Sequence, residues 1–416
     1  MLAFVAMICL SALAGLVSLQ LFWGWRFVRQ FRPQNGQTGA ECDLPRVVVL
    51  LPVRGTDPSL ACCLRGLLNQ DYPQYEIRII VDSIDDPAWS LVHEVLGPQH
   101  PPRVQVSTLQ TRRETCGLKS SALLQAIGTL DESCQVVALI DADVIPQRSW
   151  LRDLVRPLMN PKVGATTGIR WFRAKAATWG SLVRYVWNAA ASVQMYALHI
   201  PWGGSLALQA DLFRRSDLLQ KWAVSLWEDT ACYRTLRDLG LQLQFVPAAT
   251  MINQETTDLK SCFRFIRRQM LNVRLYHESW PAILAHGIGS ALALTATLLF
   301  AGIALAAGNG PAAVLLLAGL VLYGAGLGLG LVWVESHIQR LARQRGEVSL
   351  TIPWLTLWAI PLAHIVYFAC LASASVLSKV SWRGITYEIE GPWDVRMRRY
   401  RPYRLRKTAD QGASVV

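Results

Sequence analysis

Three stretches of the chain carry no Asp, Glu, Lys or Arg, and a segment that alternates short β-branched runs with longer mixed ones separates the first from the other two. The first stretch, residues 1–25, ends in Trp23 and Trp25, which suit the lipid headgroup level. At ~1.5 Å per residue it is long enough to cross ~30 Å of hydrocarbon, so the pattern predicts a transmembrane anchor. A cleaved signal peptide fits less well, because no positive residue precedes the apolar run and no small-x-small site closes it. Arg26, Arg29 and Arg32 follow at once. By the positive-inside rule they hold the next segment on the cytoplasmic side, with the N-terminus outside.

From residue 26 to about 260 the periodicity is that of an α/β domain. Candidate strands are Arg46–Leu51, Glu76–Val81, Arg103–Ser107 and Val136–Ile140, and each precedes a segment of helical spacing: Pro58–Gln70, Pro87–Leu96, Leu118–Ile127 and Ser149–Leu158. Continuous apolar strands alternating with helices predict a mainly parallel sheet covered on both faces. Ligands of such sheets sit beyond the carboxyl ends of the strands. Residues 261–280 carry Arg264, Arg267, Arg268 and Arg274 among Phe263, Phe265, Met270 and Leu271. That pattern predicts an amphipathic helix at the membrane surface.

No charge occurs from Pro281 to Val334, room for two crossings with Gly308-Asn309-Gly310-Pro311 as the turn. A third uncharged stretch, Val348–Ser378, follows a polar loop with Arg340, Arg343 and Arg345, so residues 281–378 read as membrane helices. Residues 379–416 read as a basic cytoplasmic tail, with Lys379, Arg383, Arg396, Arg398, Arg399, Arg401, Arg404, Arg406 and Lys407. One crossing before the domain and three after it would leave this tail outside, against the positive-inside tendency. Either one C-terminal stretch is re-entrant or Thr351–Pro361 lies flat at the interface, and the pattern does not choose.

Composition agrees with a multi-pass membrane protein. Of 416 residues 52% are hydrophobic and 17% charged, against roughly a quarter charged in soluble domains. The net charge of +12 lies largely beside the apolar stretches and in the tail, which suits anionic headgroups or a phosphate-bearing substrate better than nucleic acid. Nine cysteines without a CxxC spacing fit neither a disulfide framework nor a zinc site.

The chemistry concentrates in acidic clusters at strand ends. Asp82-Ser83-Ile84-Asp85-Asp86-Pro87 follows the second strand and Asp141-Ala142-Asp143 the fourth. A single acid there is commonly a cap or turn former. Two carboxylates at alternate positions of an extended chain point the same way, however, and their convergence calls for a cation such as Mg²⁺ or Mn²⁺ with substrate phosphates completing its shell. Asp141 and Asp143 are therefore a candidate metal–diphosphate site. Glu228-Asp229 opens a helix-like run, either as acids favoured by the helix dipole or as a general base. In the arginine run, a phosphate clamp is possible beside membrane contact.

The ordered set Leu51-Pro52-Val53-Arg54-Gly55, Gln70-Asp71-Tyr72-Pro73, Asp85-Asp86-Pro87-Ala88, Asp141-Ala142-Asp143, Trp202-Gly203-Gly204-Ser205 and Glu228-Asp229 resembles the membrane-bound family 2 glycosyltransferases, above all the ceramide glucosyltransferase group. The resemblance runs to about residue 390, with Ser381-Trp382-Arg383 similar to an element after the last helix in those enzymes. It implies a GT-A fold that takes a UDP-sugar, with glucose the family's leading sugar, and moves the sugar with inversion to a lipid hydroxyl. It also implies Asp86 at the nucleotide, Asp141 and Asp143 near the diphosphate and metal, Asp229 as the base, and Lys119 of Gly117-Leu118-Lys119-Ser120 on the donor. The family's Arg/Gln-x-x-Arg-Trp element is altered: Arg267, Arg268 and Gln269 are its nearest equivalents and the tryptophan is missing. His199 and Tyr196 are acceptor contacts or packed interior residues. Rival activities are transfer to diacylglycerol, a hopanoid or a polyprenyl phosphate, polysaccharide synthesis, and a non-enzymatic membrane scaffold.

Overall fold

The structure, a computed structural model, describes residues 2–31, 44–347 and 352–404. Arg32, Cys42, residues 348–351 at the start of the third uncharged stretch, and Arg406 and Lys407 of the tail lie outside the described residues.

After the N-terminal helix α1 (Leu2–Val28), strands and helices alternate: β1 (Val47–Val53), α2 (Leu60–Leu68), β2 (Tyr75–Val81), α3 (Pro87–Leu96), β3 (Val104–Thr108), α4 (Leu118–Ile127), β4 (Val136–Ile140) and α5 (Trp150–Val155). The apolar runs had placed these strands to within about two residues, because β-branched, fully buried segments have few alternatives. Next come β5 (Val163–Thr167), β6 (Arg170–Phe172), α6 (Trp179–Leu198), β7 (Ser205–Gln209), α7 (Leu212–Arg215), α8 (Leu218–Trp222), α9 (Asp229–Asp238), β8 (Gln242–Phe245), β9 (Met251–Asn253) and α10 (Leu259–Tyr276). The seven-stranded sheet has the order β3-β2-β1-β4-β7-β5-β8, parallel except where β7 runs against β4 and β5. Its two faces follow the period of two. Val48, Leu50, Val137 and Leu139 pack on α4 and α8, while Val47, Val49, Leu51 and Ala138 pack on α2 and α5. Burying each Val or Leu is worth about 1.5–3 kcal/mol, which fixes the register and hence the strand ends.

The rest comprises α11 (Trp280–Ala306), α12 (Gly310–Gln344), α13 (Thr356–Ser375) and an antiparallel sheet of β10 (Lys379–Trp382), β11 (Ile385–Gly391) and β12 (Asp394–Tyr400). Among the described residues four helices, α1 with Arg29 and then α11, α12 and α13, are long and apolar enough to cross a membrane. Two expectations change here. The polar loop with Arg340 and Arg343 is the last part of α12, which continues until Gly346 takes a left-handed turn at φ +72°. The tail is not a free basic segment up to Tyr400, because Val380, Ile385, Tyr387, Ile389 and Val395 alternate into the core of the catalytic domain.

Both ends of the chain around α13 are tied to that domain. Arg345, just after α12, donates to the Thr250 carbonyl at 2.8 Å, and Ile352 packs on the cluster around Trp171. At the other end Arg274 of α10 donates to the carbonyls of Ser375 and Leu377, each at 2.8 Å. The helix α10 is therefore not a surface float. It packs between α6, α9 and α13, and its arginines serve different partners.

Glu335, on α12, couples the apolar helices to the domain. It is 2% exposed, and its carboxylate accepts from Trp171 Nε1 (2.8 Å), Tyr185 OH (2.8 Å) and Gln339 Nε2 (3.0 Å) and pairs with Arg173 (3.2 Å). Glu335→Leu removes the buried carboxylate that accepts from Trp171 and Tyr185 and pairs with Arg173. It should destabilise the protein by about 3–5 kcal/mol, read as a lowered Tm in detergent; a Tm equal to wild type would show that the cluster does not couple the two parts.

Candidate active site

At the carboxyl ends of β1, β2 and β4 a cavity of about 210 Å³ opens. Asp141, Asp143, Lys119, Asp229, Arg268 and Gln269, all expected from the sequence, line it together. The strand β4 is buried throughout and stops at Asp141, so Asp141 and Asp143 emerge on one side while Ala142 stays inside.

Their convergence is balanced by a residue the sequence reading did not single out. Arg170, at the start of β6, donates to Asp141 Oδ2 (2.9 Å) and to both oxygens of Asp143 (2.7 and 2.8 Å). Lys119, in the first turn of α4, sits 2.7 Å from Asp141 Oδ1, 2.7 Å from Glu228 Oε1 and 3.3 Å from the Gly203 carbonyl. Burial opposes the charge on Lys119, but Asp141 and Glu228 outweigh it and hold the ammonium above its ordinary pKa. Burial likewise works against ionised Asp141, and Lys119 and Arg170 reverse the balance, leaving its carboxyl below the ordinary range. Glu228, 1% exposed, is pushed up by burial despite Lys119.

Asp229 is the first residue of α9, and its two oxygens are held by three different elements. The amide of Gly203 donates at 3.0 Å, that of Thr230 at 2.7 Å, and Asn272 Nδ2 of α10 at 3.1 Å. Its carboxylate also borders a second, mainly apolar cavity of about 140 Å³ between α6, α10, α11 and α13. Asp229 thus stands at the wall between a charged cavity and an apolar one.

Arg268 projects from α10 into the charged cavity with its guanidinium 5.1 Å from the Trp382 ring and 5.9 Å from that of Phe265. Among the described residues it has no carboxylate partner. Burial, then Arg383 and Arg170, lower its pKa to about 10, which leaves it cationic and short of anions at neutral pH. The aromatic missing from the altered motif on α10 is supplied from elsewhere in the chain, by Trp382 at the end of β10. The same sheet closes the other end of the cavity: Arg383 pairs with Asp57, Tyr400 donates to Asp82 Oδ2 at 2.8 Å, and Arg54 is held by Asp82 and the Arg383 carbonyl.

One expected residue is displaced. Asp86 does not line the cavity; it caps α3, accepting from the Ala88 amide at 2.9 Å and from the Gly55 amide at 3.0 Å. It shapes the loop after β1, where Gly55 adopts φ +73° against the Tyr403 ring. Asp82, four residues earlier, faces the cavity instead because it directly ends β2. His199 and Tyr196 lie outside both cavities, with Tyr196 packed on Phe27 and Phe245 and His199 on Tyr233.

No group of three or more His, Cys, Asp or Glu that could hold a metal ion exists among the described residues. Asp141 and Asp143 supply hard oxygens for a divalent cation only if other oxygens complete its shell.

Residues 4–392 match the family model Glycosyl transferase family 21. The chain belongs to that family. It is a glycosyltransferase with a GT-A-like catalytic domain. It is 26% identical over 235 residues to probable glycosyltransferase YdaM of Bacillus subtilis, covering 53% of this chain and 54% of that one. It is 46% identical over 41 residues to the ceramide glucosyltransferase of Komagataella phaffii, covering 10% of this chain and 8% of that one. The chain thus spans about half the length of the first curated relative and far less of the second. In fold it resembles the mannosyltransferase PcManGT of Pyrobaculum calidifontis, solved with GDP-Man and Mn²⁺, at a TM-score of 0.54 and 21% identity over 81% of this chain and 99% of that one.

The loop Trp202-Gly203-Gly204-Ser205 gives the site its close packing. A Cβ on Gly204 would come 2.2 Å from the Trp202 ring and 2.6 Å from Asp141 Oδ2. Gly204→Ala should cost about 1–3 kcal/mol of stability and, by displacing Asp141, lower sugar transfer on the order of 10²-fold. Turnover and Tm both within error of wild type would show that the loop does not position Asp141.

Proposed function

We propose that this glycosyltransferase moves a hexose, glucose in the first instance, from a UDP-sugar to the hydroxyl of a membrane lipid such as ceramide, with inversion. The observation that carries the reading is the place of Asp229, fixed by donors from Gly203, Thr230 and Asn272 between a charged cavity and an apolar one that reaches the helices α11 and α13. A nucleotide sugar suits the first cavity and the body of a lipid suits the second, so the acceptor hydroxyl meets the sugar at Asp229. The name of the Komagataella phaffii relative supports ceramide as the first acceptor to try.

The division of labour follows from the charges. Departure of a nucleoside diphosphate leaves negative charge on phosphate oxygens, and Arg268, which has no carboxylate partner among the described residues, faces the cavity where that charge develops. Lys119 holds Asp141 and Glu228 and stands beside the same space. Asp229 takes the proton of the acceptor hydroxyl as it attacks the face opposite the leaving group. Asp82 and Arg54, under the C-terminal sheet, form the wall toward which the nucleoside extends. Asp141 and Asp143 fit a hard divalent cation, Mg²⁺ or Mn²⁺, since they present four carboxylate oxygens already held together by cationic groups. When bound, such an ion supplies Lewis-acid charge for the departing diphosphate.

The same reading implies three crossings. With both ends of the α13 region on the catalytic domain, α1, α11 and α12 cross the bilayer and α13 enters without crossing. The domain, the end of α12 and the C-terminal sheet are then all cytoplasmic, and the positive-inside tendency is obeyed throughout.

Incubating the purified protein with several UDP-sugars and a total lipid extract, and identifying the product by mass spectrometry, tests the reaction; no glycolipid with any donor would refute it. Asp229→Asn should lower transfer by ~10²–10⁴ while UDP affinity stays within about twofold, as a base acts in the transition state. A variant with more than about a tenth of wild-type activity would remove the base and favour a phosphate acceptor. Arg268→Gln should raise the UDP dissociation constant about tenfold or more in neutral detergent, the worth of a charge-assisted hydrogen bond; equal constants would transfer the phosphate role to another cation.

A further inference from the structure

The apolar cavity beside Asp229 has a polar wall. His286 and Ser290 on α11, and His364 and Tyr367 on α13, all line it. Spacings of four and three residues put each pair on one face of its helix, so two apolar helices turn their polar side chains toward the same space. Such residues are rare in bilayer segments, where hydrogen-bonding groups are expensive without partners.

Three of the four have partners in the protein. The Ser290 hydroxyl donates to the Gly287 carbonyl at 3.1 Å, and the Tyr367 hydroxyl reaches the Ile283 carbonyl at 3.5 Å. His364 Nδ1 is 2.9 Å from the Ile360 carbonyl and its Nε2 3.0 Å from Tyr323 OH. His286 has no hydrogen bond among the described residues, and its Nδ1 is buried without a partner. Nor does the packing of the helices require this ring. The close contact between α11 and α13 is made by the adjacent Gly287, where a Cβ would lie 2.0 Å from Leu371 Cδ1. A buried polar nitrogen without a hydrogen-bond partner costs about 1–3 kcal/mol, and the half-buried His286 ring, whose aromatic neighbour is Tyr367 at 6.5 Å between centroids, lines the cavity.

We propose that the wall contributed by α11 and α13 binds a second polar group of the acceptor, and that His286 is the residue that recognises it. The acceptor is then an apolar molecule with an amide or hydroxyl near the hydroxyl that receives the sugar, such as an N-acyl amino alcohol or a polyol lipid. A long-chain alcohol with one hydroxyl would leave the imidazole unsatisfied. The inference rests on the reading of this cavity as the acceptor site.

The test compares, with the full-length protein in detergent, an n-alkanol and a 2-acylamino-alkanol or diol of the same chain length. Wild type should favour the bifunctional acceptors by about 10- to 100-fold in kcat/KM, the discrimination expected when one buried hydrogen bond is lost. His286→Phe keeps a planar ring and should erase that preference, with the KM for the UDP-sugar unchanged, and His286→Gln should restore part of it. The same acceptors titrated calorimetrically into Asp229→Asn protein read binding without turnover. A binding preference with no transfer by wild type would refute the proposed reaction and uphold His286, whereas an equal preference in wild type and His286→Phe would overturn the inference.

Discussion

Two carboxylates at the end of one strand repel each other, by about 4 kcal/mol for charges about 4 Å apart in a partly screened site, and Asp141 and Asp143 can share a cavity only because cations hold them. Arg170 bridges the pair and Lys119 ties Asp141 to Glu228 and to the Gly203 carbonyl. That one network joins the end of β4, the start of α4, the start of β6, the glycine loop and the residue before α9. The amide of Gly203 in turn orients Asp229. Removing the cations would therefore loosen Asp229 as well as the Asp141–Asp143 end of the cavity.

The second organising constraint is the return of the chain to its own beginning. Arg383 pairs with Asp57, and Arg54 is held by the Arg383 carbonyl, across more than three hundred residues. Because β11 and β12 share the core with β4 and α4, the sheet at the end of the chain is a wall of the charged cavity and not an appendage. It also brings Trp382 to Arg268, a second aromatic neighbour beside Phe265 of α10.

These long-range ties also fix how the apolar helices sit against the α/β domain. Glu335 fastens α12 to the strand and helix that carry Trp171 and Tyr185, and Arg274 and Arg345 hold the two ends of the α13 region to the domain. The apolar cavity lies where α6 and α10 of the domain meet α11 and α13, so a lipid can keep its body among apolar helices while its hydroxyl approaches a polar centre.

The sequence by itself determined what local pattern can encode. Buried β-branched runs placed β1 to β4, the charge-free stretches placed the apolar helices, and alternate-residue geometry marked Asp141 and Asp143. Short ordered motifs marked Asp229, Lys119 and the family. Tertiary structure decided whatever depends on which loops converge. Arg170 meets Asp141 across 29 positions and belongs to no motif. That Asp86 caps α3 while Asp82 ends β2 and lines the cavity is likewise a tertiary outcome, which the cluster Asp82-Ser83-Ile84-Asp85-Asp86 leaves open. The basic character of residues 379–400 hid the inward-facing Val380, Ile385, Tyr387, Ile389 and Val395, because arginines on the outward face dominate the composition. Hydropathy likewise states only that a helix is apolar and long enough to enter a bilayer, whereas the ties from both ends of the α13 region back to the α/β domain are a product of tertiary structure.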